Sequence, residues 1–279
     1  MKPRASDGYI EGVGNIRLYY RGWEAPRAKA AVVIVHGHGE HGGRYAWFAE
    51  TLAGCGISTF VHDLRGHGLS EGRRGHTPRF GIFLQDLDRF RREVHGLVEY
   101  GTPLVLFGHS MGGLIALRYL EEYDSSFRAG IISSPWLATA LEVPRWKITA
   151  SGLLNRILPA LPFSTGLDAA DLSRDPAIVT AYRDDPLVHD RMTPRLFTEA
   201  AAAMGLALQR SDRITVPLLF LLAGQDRIVD TEKSRRLAKS LSASRVSITV
   251  YPENYHENLN EPNRIVVVRD IRDWIARVT

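Results

Sequence analysis

The 279-residue sequence predicts an α/β protein with a mostly parallel central sheet flanked by helices and a helical cap inserted late in the chain. Three observations carry that expectation. Strand-length apolar runs alternate with helix-length amphipathic runs over residues 31–133, and again over 218–277. One strand-to-helix joint reads Gly108-His109-Ser110-Met111-Gly112 between a β-prone run and a helix-forming one. Between Trp136 and Ser211 the rhythm breaks: that block holds Pro144, Pro159, Pro162, Pro176, Pro186 and Pro194 and no buried-strand pattern.

Taken in order, Tyr9 to Val13 and Ile16 to Tyr20 are β-prone and joined by Gly14-Asn15, a hairpin signal. Ala31 to Val35 is a continuous apolar run, as in a strand buried on both faces. Tyr45 to Ala53 reads as a helix and Ile57 to Val61 as a second buried strand. Phe80, Phe83, Leu84, Leu87, Phe90, Val94 and Leu97 recur at three- and four-residue steps, the stripe of a long amphipathic helix. Strand 104–107, helix 111–122 and strand 130–133 follow. After the break come strand 218–222, helix 232–241, strand 246–250 and helix 263–277. The expected division is a catalytic domain of residues 1–135 and 212–279 around a mainly helical cap of 136–211.

Bulk properties exclude several classes. A net charge of +4 is small for this length, and arginines such as Arg89, Arg91 and Arg92 are dispersed, so no nucleic-acid partner is expected. The lone cysteine, Cys55, rules out an internal disulfide and, within an apolar helix pattern, is expected to be a buried small hydrophobe. The basic start at Met1-Lys2-Pro3-Arg4 has no apolar segment behind it, unlike a secretory leader. The longest apolar run, Val216 to Ala223, is strand-sized and contains Pro217. The expectation is a soluble, cytoplasmic protein, with transient contact to a membrane surface left open. Oligomeric state is not legible.

In open parallel sheets ligands bind outside the carboxyl ends of the strands, so the residues following each strand should meet. Ser110 follows strand 104–107, Asp226 follows 218–222 and His256 follows 246–250. Serine, acid and histidine in that chain order are what an α/β-hydrolase fold uses. Ser110 needs an adjacent base to become nucleophilic; His256 supplies it, and Asp226 fixes the imidazole tautomer. Asp230, the nearest rival acid, opens the next helix, where capping explains it. The oxyanion requires two N–H donors: the backbone N–H of Met111, and one from the glycine-rich loop after strand 31–35, taken as that of His38. Within that loop, His36-x-His38-x-Glu40-His41 nearly repeats the spacing of a binuclear metallohydrolase. Such a centre needs further ligands in later loops, and no second histidine cluster is present. Neither a metal nor a cofactor is expected.

His36 to Tyr45 (HGHGEHGGRY), Asp63 to Ser70 (DLRGHGLS), Gly108 to Gly113 (GHSMGG), Tyr255-His256-Glu257 and Asp185 to Val188 (DPLV) together resemble the monoacylglycerol lipase and lysophospholipase-like branch of the α/β-hydrolases. The resemblance implies an ester-cleaving enzyme whose cap forms a hydrophobic acyl tunnel. It places Glu40 and Arg44 near the glycerol end of the site and puts Leu259 where some relatives carry a second histidine. Asp63 and Arg65 are expected to pin their loop.

The function so expected is hydrolysis of single-chain esters, monoacylglycerols first, through an acyl-enzyme. The alternatives are a general carboxylesterase, lysophospholipase or thioesterase of the same fold, a metallohydrolase using His36, His38 and His41, and a binding protein without catalysis. In the cap, Trp136, Leu137, Trp146, Ile148, Leu153, Leu154, Ile157, Leu158, Leu161 and Phe163 are too apolar for a solvated connector. Leu154 and Ile157 are the expected tunnel residues.

Overall fold

The computed structural model describes residues 3–123, 127–140, 152 and 154–279, and the statements below concern these residues. Eight strands form one sheet: β1 (Arg4–Glu11), β2 (Arg17–Glu24), β3 (Ala30–Val35), β4 (Ile57–His62), β5 (Leu104–His109), β6 (Phe127–Ser133), β9 (Leu218–Ala223) and β10 (Val246–Tyr251). Their order is β1-β2-β4-β3-β5-β6-β9-β10. β1 and β2 are antiparallel, as is the β2–β4 pair; the remaining pairs are parallel. The Gly14-Asn15 turn has positive φ at both positions (77° and 59°), which carries the chain from β1 into β2.

β3, β4 and β5 are buried at every position because helices cover both faces. Alternate side chains of β3 enter two separate cores: Ala31, Val33 and Val35 one, Ala30, Val32 and Ile34 the other. The first core is closed by α2 (Gly81–Leu97), α3 (Met111–Glu122), α5 (Pro194–Arg210) and α6 (Thr231–Ser240), the second by α1 (Ala46–Gly54) and α7 (Arg264–Val278). Each fully buried Val, Leu, Ile or Phe contributes about 1.5–3 kcal/mol, so this two-faced burial selects uninterrupted apolar strands.

Between β6 and β9 the main sheet gains no strand. The described residues there form the two-residue pair β7 (Phe163–Ser164) and β8 (Arg191–Met192), α4 (Pro176–Asp184) and α5. α4 has no buried residue. α5 differs. It buries Leu196, Ala200, Ala203 and Ala207 in the same core as α3, so it belongs to the layer covering the sheet. This helix lies within the 136–211 block expected as a cap and packs with the helices on the sheet. Trp146, Ile148 and Leu153 lie outside the described residues. Cys55 is exposed, a correction to the buried position expected: it caps α1 at the helix's C-terminal end, beyond the apolar stripe.

β3 is followed in sequence by β4 on one side and β5 on the other. The carboxyl ends of β3 and β5, which pair in register Val35 to Gly108, thus flank the point where the strand order reverses.

Candidate active site

Ser110 leaves β5 with φ 54° and ψ −119° and opens α3. For a non-glycine residue that conformation costs about 1–3 kcal/mol and persists only where surroundings hold it. Its N–H donates to the Ser133 carbonyl at 3.0 Å, and its carbonyl accepts from Leu114 (3.1 Å) and Trp136 (3.0 Å). The flanking glycines are required sterically. A Cβ on Gly108 would stand 2.4 Å from the Gly112 oxygen, and one on Gly112 would stand 2.0 Å from the Val35 oxygen.

The Asp226 and His256 side chains meet: Nδ1 of His256 lies 2.8 Å from Oδ2 of Asp226. The other Asp226 oxygen accepts from the backbone N–H groups of Ile228 and Val229, both at 2.9 Å. Burial opposes the charge on Asp226, but His256 and these two amides hold it below the usual carboxylate range. Burial likewise opposes the charged form of His256, yet the attraction of Asp226, reinforced by Glu257 and Glu40, raises it above the ordinary histidine value. Asp230 is elsewhere, accepting from the Lys233 N–H at 2.9 Å as the cap of α6.

Ser110 and His256 line one cavity of about 490 Å³, with Gly37, His38, Glu40 and His109 on the sheet side. An added Cβ on Gly37 would stand 3.2 Å from the Ser110 Cβ, so the 37–38 backbone passes directly beside the serine. Met111 follows it at the start of α3. The rest of the lining mixes an apolar group, Trp136, Phe163, Leu167, Leu172, Met192, Phe197 and Ile228, with polar side chains that include Asp168, Asp171 and Arg227.

Leu154 and Ile157 are not in that lining. They are 40% and 66% exposed, a correction to their expected place in a tunnel. Much of the apolar group comes instead from the segments around β7, β8 and α5, whose irregular spacing gives no periodic signal.

Glu40 reaches the cavity, and both of its carboxylate oxygens carry hydrogen bonds from within the protein. One carboxylate oxygen accepts from the Gly37 N–H (2.6 Å) and the Tyr45 hydroxyl (2.9 Å), the other from Arg44 (2.8 Å). Arg44 does not line the large cavity; it forks onto Glu257, with both contacts at 2.6 Å. Glu257, which sequence reasoning left without a role, is thus a central charge of the site; only its adjacency to His256 pointed to it. Leu259 is buried beside the same ions, lining a smaller void with Glu40, Arg44 and Trp47.

Asp63 and Arg65 pin their loop as expected: Asp63 accepts from Gly42 and Leu69 N–H groups at 2.8 Å, and Arg65 forks onto Asp86 at 2.7 and 3.0 Å. The segment 185–189 is tied to the glycine-rich loop. His41 Nε2 lies 2.8 Å from Asp185, and the His189 N–H donates to the Gly39 carbonyl at 2.9 Å.

These contacts also disperse the three histidines of the metal-like pattern. His36 has Nδ1 against the Gly37 carbonyl (2.8 Å) and Nε2 accepting from Leu64 (2.9 Å), while His41 faces Asp185 and the Gly43 N–H. His38 packs edge-on to His67 and His189. Among the described residues no group of three or more His, Cys, Asp or Glu side chains is arranged to hold a metal ion. Burial, with His189 next to it, pushes His38 down to about 3; burial and His256 push His109 down to about 4. Both rings are neutral at pH 7, unlike an imidazole positioned to gain charge.

Residues 26–263 match the protein family Hydrolase_4, described as serine aminopeptidase, S33. A monoacylglycerol lipase of Mycolicibacterium smegmatis is 33% identical over 279 residues, covering 97% of each chain. A monoglyceride lipase of Homo sapiens is 31% identical, covering 94% of this chain and 88% of its own. Among solved structures, a monoacylglycerol lipase of Paleococcus ferrophilus aligns with a TM-score of 0.86 at 36% identity, covering 94% of this chain and 99% of that one.

Proposed function

The chain belongs to the Hydrolase_4 (serine aminopeptidase, S33) family of α/β-hydrolases, and from that premise we propose that it hydrolyses monoacylglycerols to a fatty acid and glycerol with Ser110 as nucleophile. One observation carries the assignment: the buried Asp226–His256 hydrogen bond stands on the wall of the cavity that Ser110 enters from a strained turn. The lipase relatives support the substrate class.

In this reading His256 takes the Ser110 hydroxyl proton as the oxygen attacks the ester carbonyl. Asp226 holds Nδ1–H, which leaves Nε2 free as the base, and stabilises the imidazolium. The N–H groups of Met111 and His38 receive the oxyanion. Collapse expels glycerol, whose oxygen takes the proton back from His256 and leaves an acyl-Ser110 ester. Water, activated by His256, then releases the fatty acid. No step draws on a metal or a cofactor.

The cavity is within the size range of small-ligand sites, and its apolar side chains give an acyl chain a place to lie. Each methylene sequestered there adds about 0.8 kcal/mol of binding until those side chains are covered. The exposed Leu154, Ile157, Leu158, Leu161 and Phe163 give the cap a means of transient contact with the lipid surface holding the substrate.

The test is kinetic: kcat/KM over monoacyl, diacyl and triacyl glycerols of matched chain length. The proposal expects it to climb with acyl length for monoacylglycerols and to fall steeply for triacylglycerols. Equal rates on triolein and monoolein would make the protein a general esterase instead.

A further inference from the structure

Arg44 holds together two loops that the reaction needs in fixed relation. One guanidinium nitrogen bridges Glu40 (2.8 Å) and Glu257 (2.6 Å), and a second reaches the other Glu257 oxygen (2.6 Å). Glu40 in turn accepts the Gly37 N–H at 2.6 Å, fixing the backbone immediately before His38. Glu257 directly follows His256 and also accepts from Asn260 at 2.8 Å. From the cap, the Tyr182 ring stacks over the Arg44 guanidinium, 4.7 Å to its centroid.

All three ionic side chains are nearly enclosed, with 10% of Arg44 and 5% of each carboxylate exposed. The cluster carries one positive charge against two negative, so a net negative charge sits beneath His256. Burial disfavours the charge on Arg44, but Glu257 first and Glu40 second raise it well above its ordinary value; the same guanidinium holds Glu40 below the usual carboxylate range against its own burial.

We propose that Arg44 is a positioning residue of this reaction, locking the oxyanion-binding loop to the histidine-bearing loop through Glu40 and Glu257 and offsetting the carboxylates that flank His256. This rests on the reading of His256 as the base. The resemblance at the sequence level put Glu40 and Arg44 at the glycerol end of the site; the geometry also ties both into hydrogen bonds inside the protein.

The charged and titratable groups around His256 come from every element packed on it. Asp226 comes from the loop after β9, His109 from the end of β5 at 4.7 Å between rings, and Glu40 and Arg44 from the loop after β3. Glu257 is its own neighbour. Across the cavity stand Asp168, Asp171 and Tyr182, with Arg227 paired to Asp171 at 3.3 Å.

The experiment is the pH profile of kcat/KM on a short, soluble ester, whose acid limb reports protonation of His256 in the free enzyme. Glu257→Gln removes a negative charge and should move that limb to lower pH by roughly one unit. Arg44→Gln removes the offsetting positive charge and should move it upward by about as much. The double variant restores the net charge and should return the limb close to the wild-type position. Arg44→Lys keeps the charge but loses the fork, so the limb should stay while kcat/KM falls roughly tenfold.

Limbs that do not move in the single variants, that move in the same direction, or that the double variant fails to restore would overturn the proposal. If Arg44→Gln does not fold, Glu257→Gln and Arg44→Lys still decide it: an unmoved limb in the first or a displaced limb in the second overturns the role. His256→Ala separates the two levels of inference. Turnover that survives it overturns the serine-hydrolase reading, whereas a fixed limb in an enzyme that His256→Ala abolishes overturns only the role of Arg44.

Discussion

At the carboxyl edge of the sheet, Ser110, Asp226 and His256 stand one, three and five residues past the ends of β5, β9 and β10. Over the cavity, Phe163 and Met192 come from two-residue strands, Leu167 and Leu172 from turns, and Phe197 from the first turns of α5. The two regions line one cavity but are fixed by different physics. Parallel strands between two helical layers have a period and a direction, so the residues after them converge by rule. Turn-borne side chains are placed by individual contacts, such as the His41–Asp185 pair and the His189 N–H on the Gly39 carbonyl.

The largest effect expected at the sheet edge is Asp226→Asn, which leaves the histidine without its charged partner and in the wrong tautomer. Turnover should fall by roughly 10⁴. Asp230→Ala removes only a helix cap and should cost about 0.5–2 kcal/mol in unfolding free energy with near-normal turnover. Steady-state kinetics and denaturant unfolding on the two variants would reveal a misassigned acid by reversing the ranking.

The cap side is probed by comparing a wall residue with an exposed one. Phe197→Gln should flatten the gain in kcat/KM with acyl length, costing about 10- to 100-fold on a long-chain ester and little on an acetate ester. Ile157→Gln, on the exposed surface, should leave that dependence on soluble esters unchanged. A flattened profile from Ile157→Gln alone would reinstate it as a tunnel residue.

A smaller effect separates buried neutral histidines from the charged one. His62 is fully buried against Phe90, its rings 4.6 Å apart, and burial pushes it down to about 3. The unfolded chain protonates at about 6.5 and the folded one only near 3, so in that window the unfolded state binds more protons and stability falls as pH falls. At pH 5 the loss is about 2 kcal/mol for this residue. His62→Phe should therefore flatten the pH dependence of chemical denaturation between pH 7 and 5. An unchanged slope would show that His62 does not contribute to it. His256 behaves oppositely, because Asp226 favours its charged form in the fold.

The comparison also accounts for what the sequence disclosed. The central strands were visible because apolar runs such as Ala31 to Val35 are the direct imprint of burial on two faces, whereas the edge strand β1, largely exposed, begins five residues before the expected Tyr9. Gly108 and Gly112 marked the serine turn because backbone oxygens occupy the space of their missing Cβ atoms. Cys55 misled because an apolar helical pattern tells that a face is buried, not which residue ends it. Leu154 and Ile157 looked like a lining because they are apolar, yet apolar side chains make up much of any protein surface. The Glu40–Arg44–Glu257 cluster joins residues 213 positions apart, a link that no local pattern encodes.

The central claim, that Ser110 forms a covalent intermediate with His256 as its base, is tested most directly by peptide mapping after exposure to a fluorophosphonate. A single adduct on Ser110, formed at much lower rate in His256→Ala and absent in Ser110→Ala, is the result expected. An adduct on another residue, or undiminished ester turnover by the Ser110→Ala protein, would contradict the account.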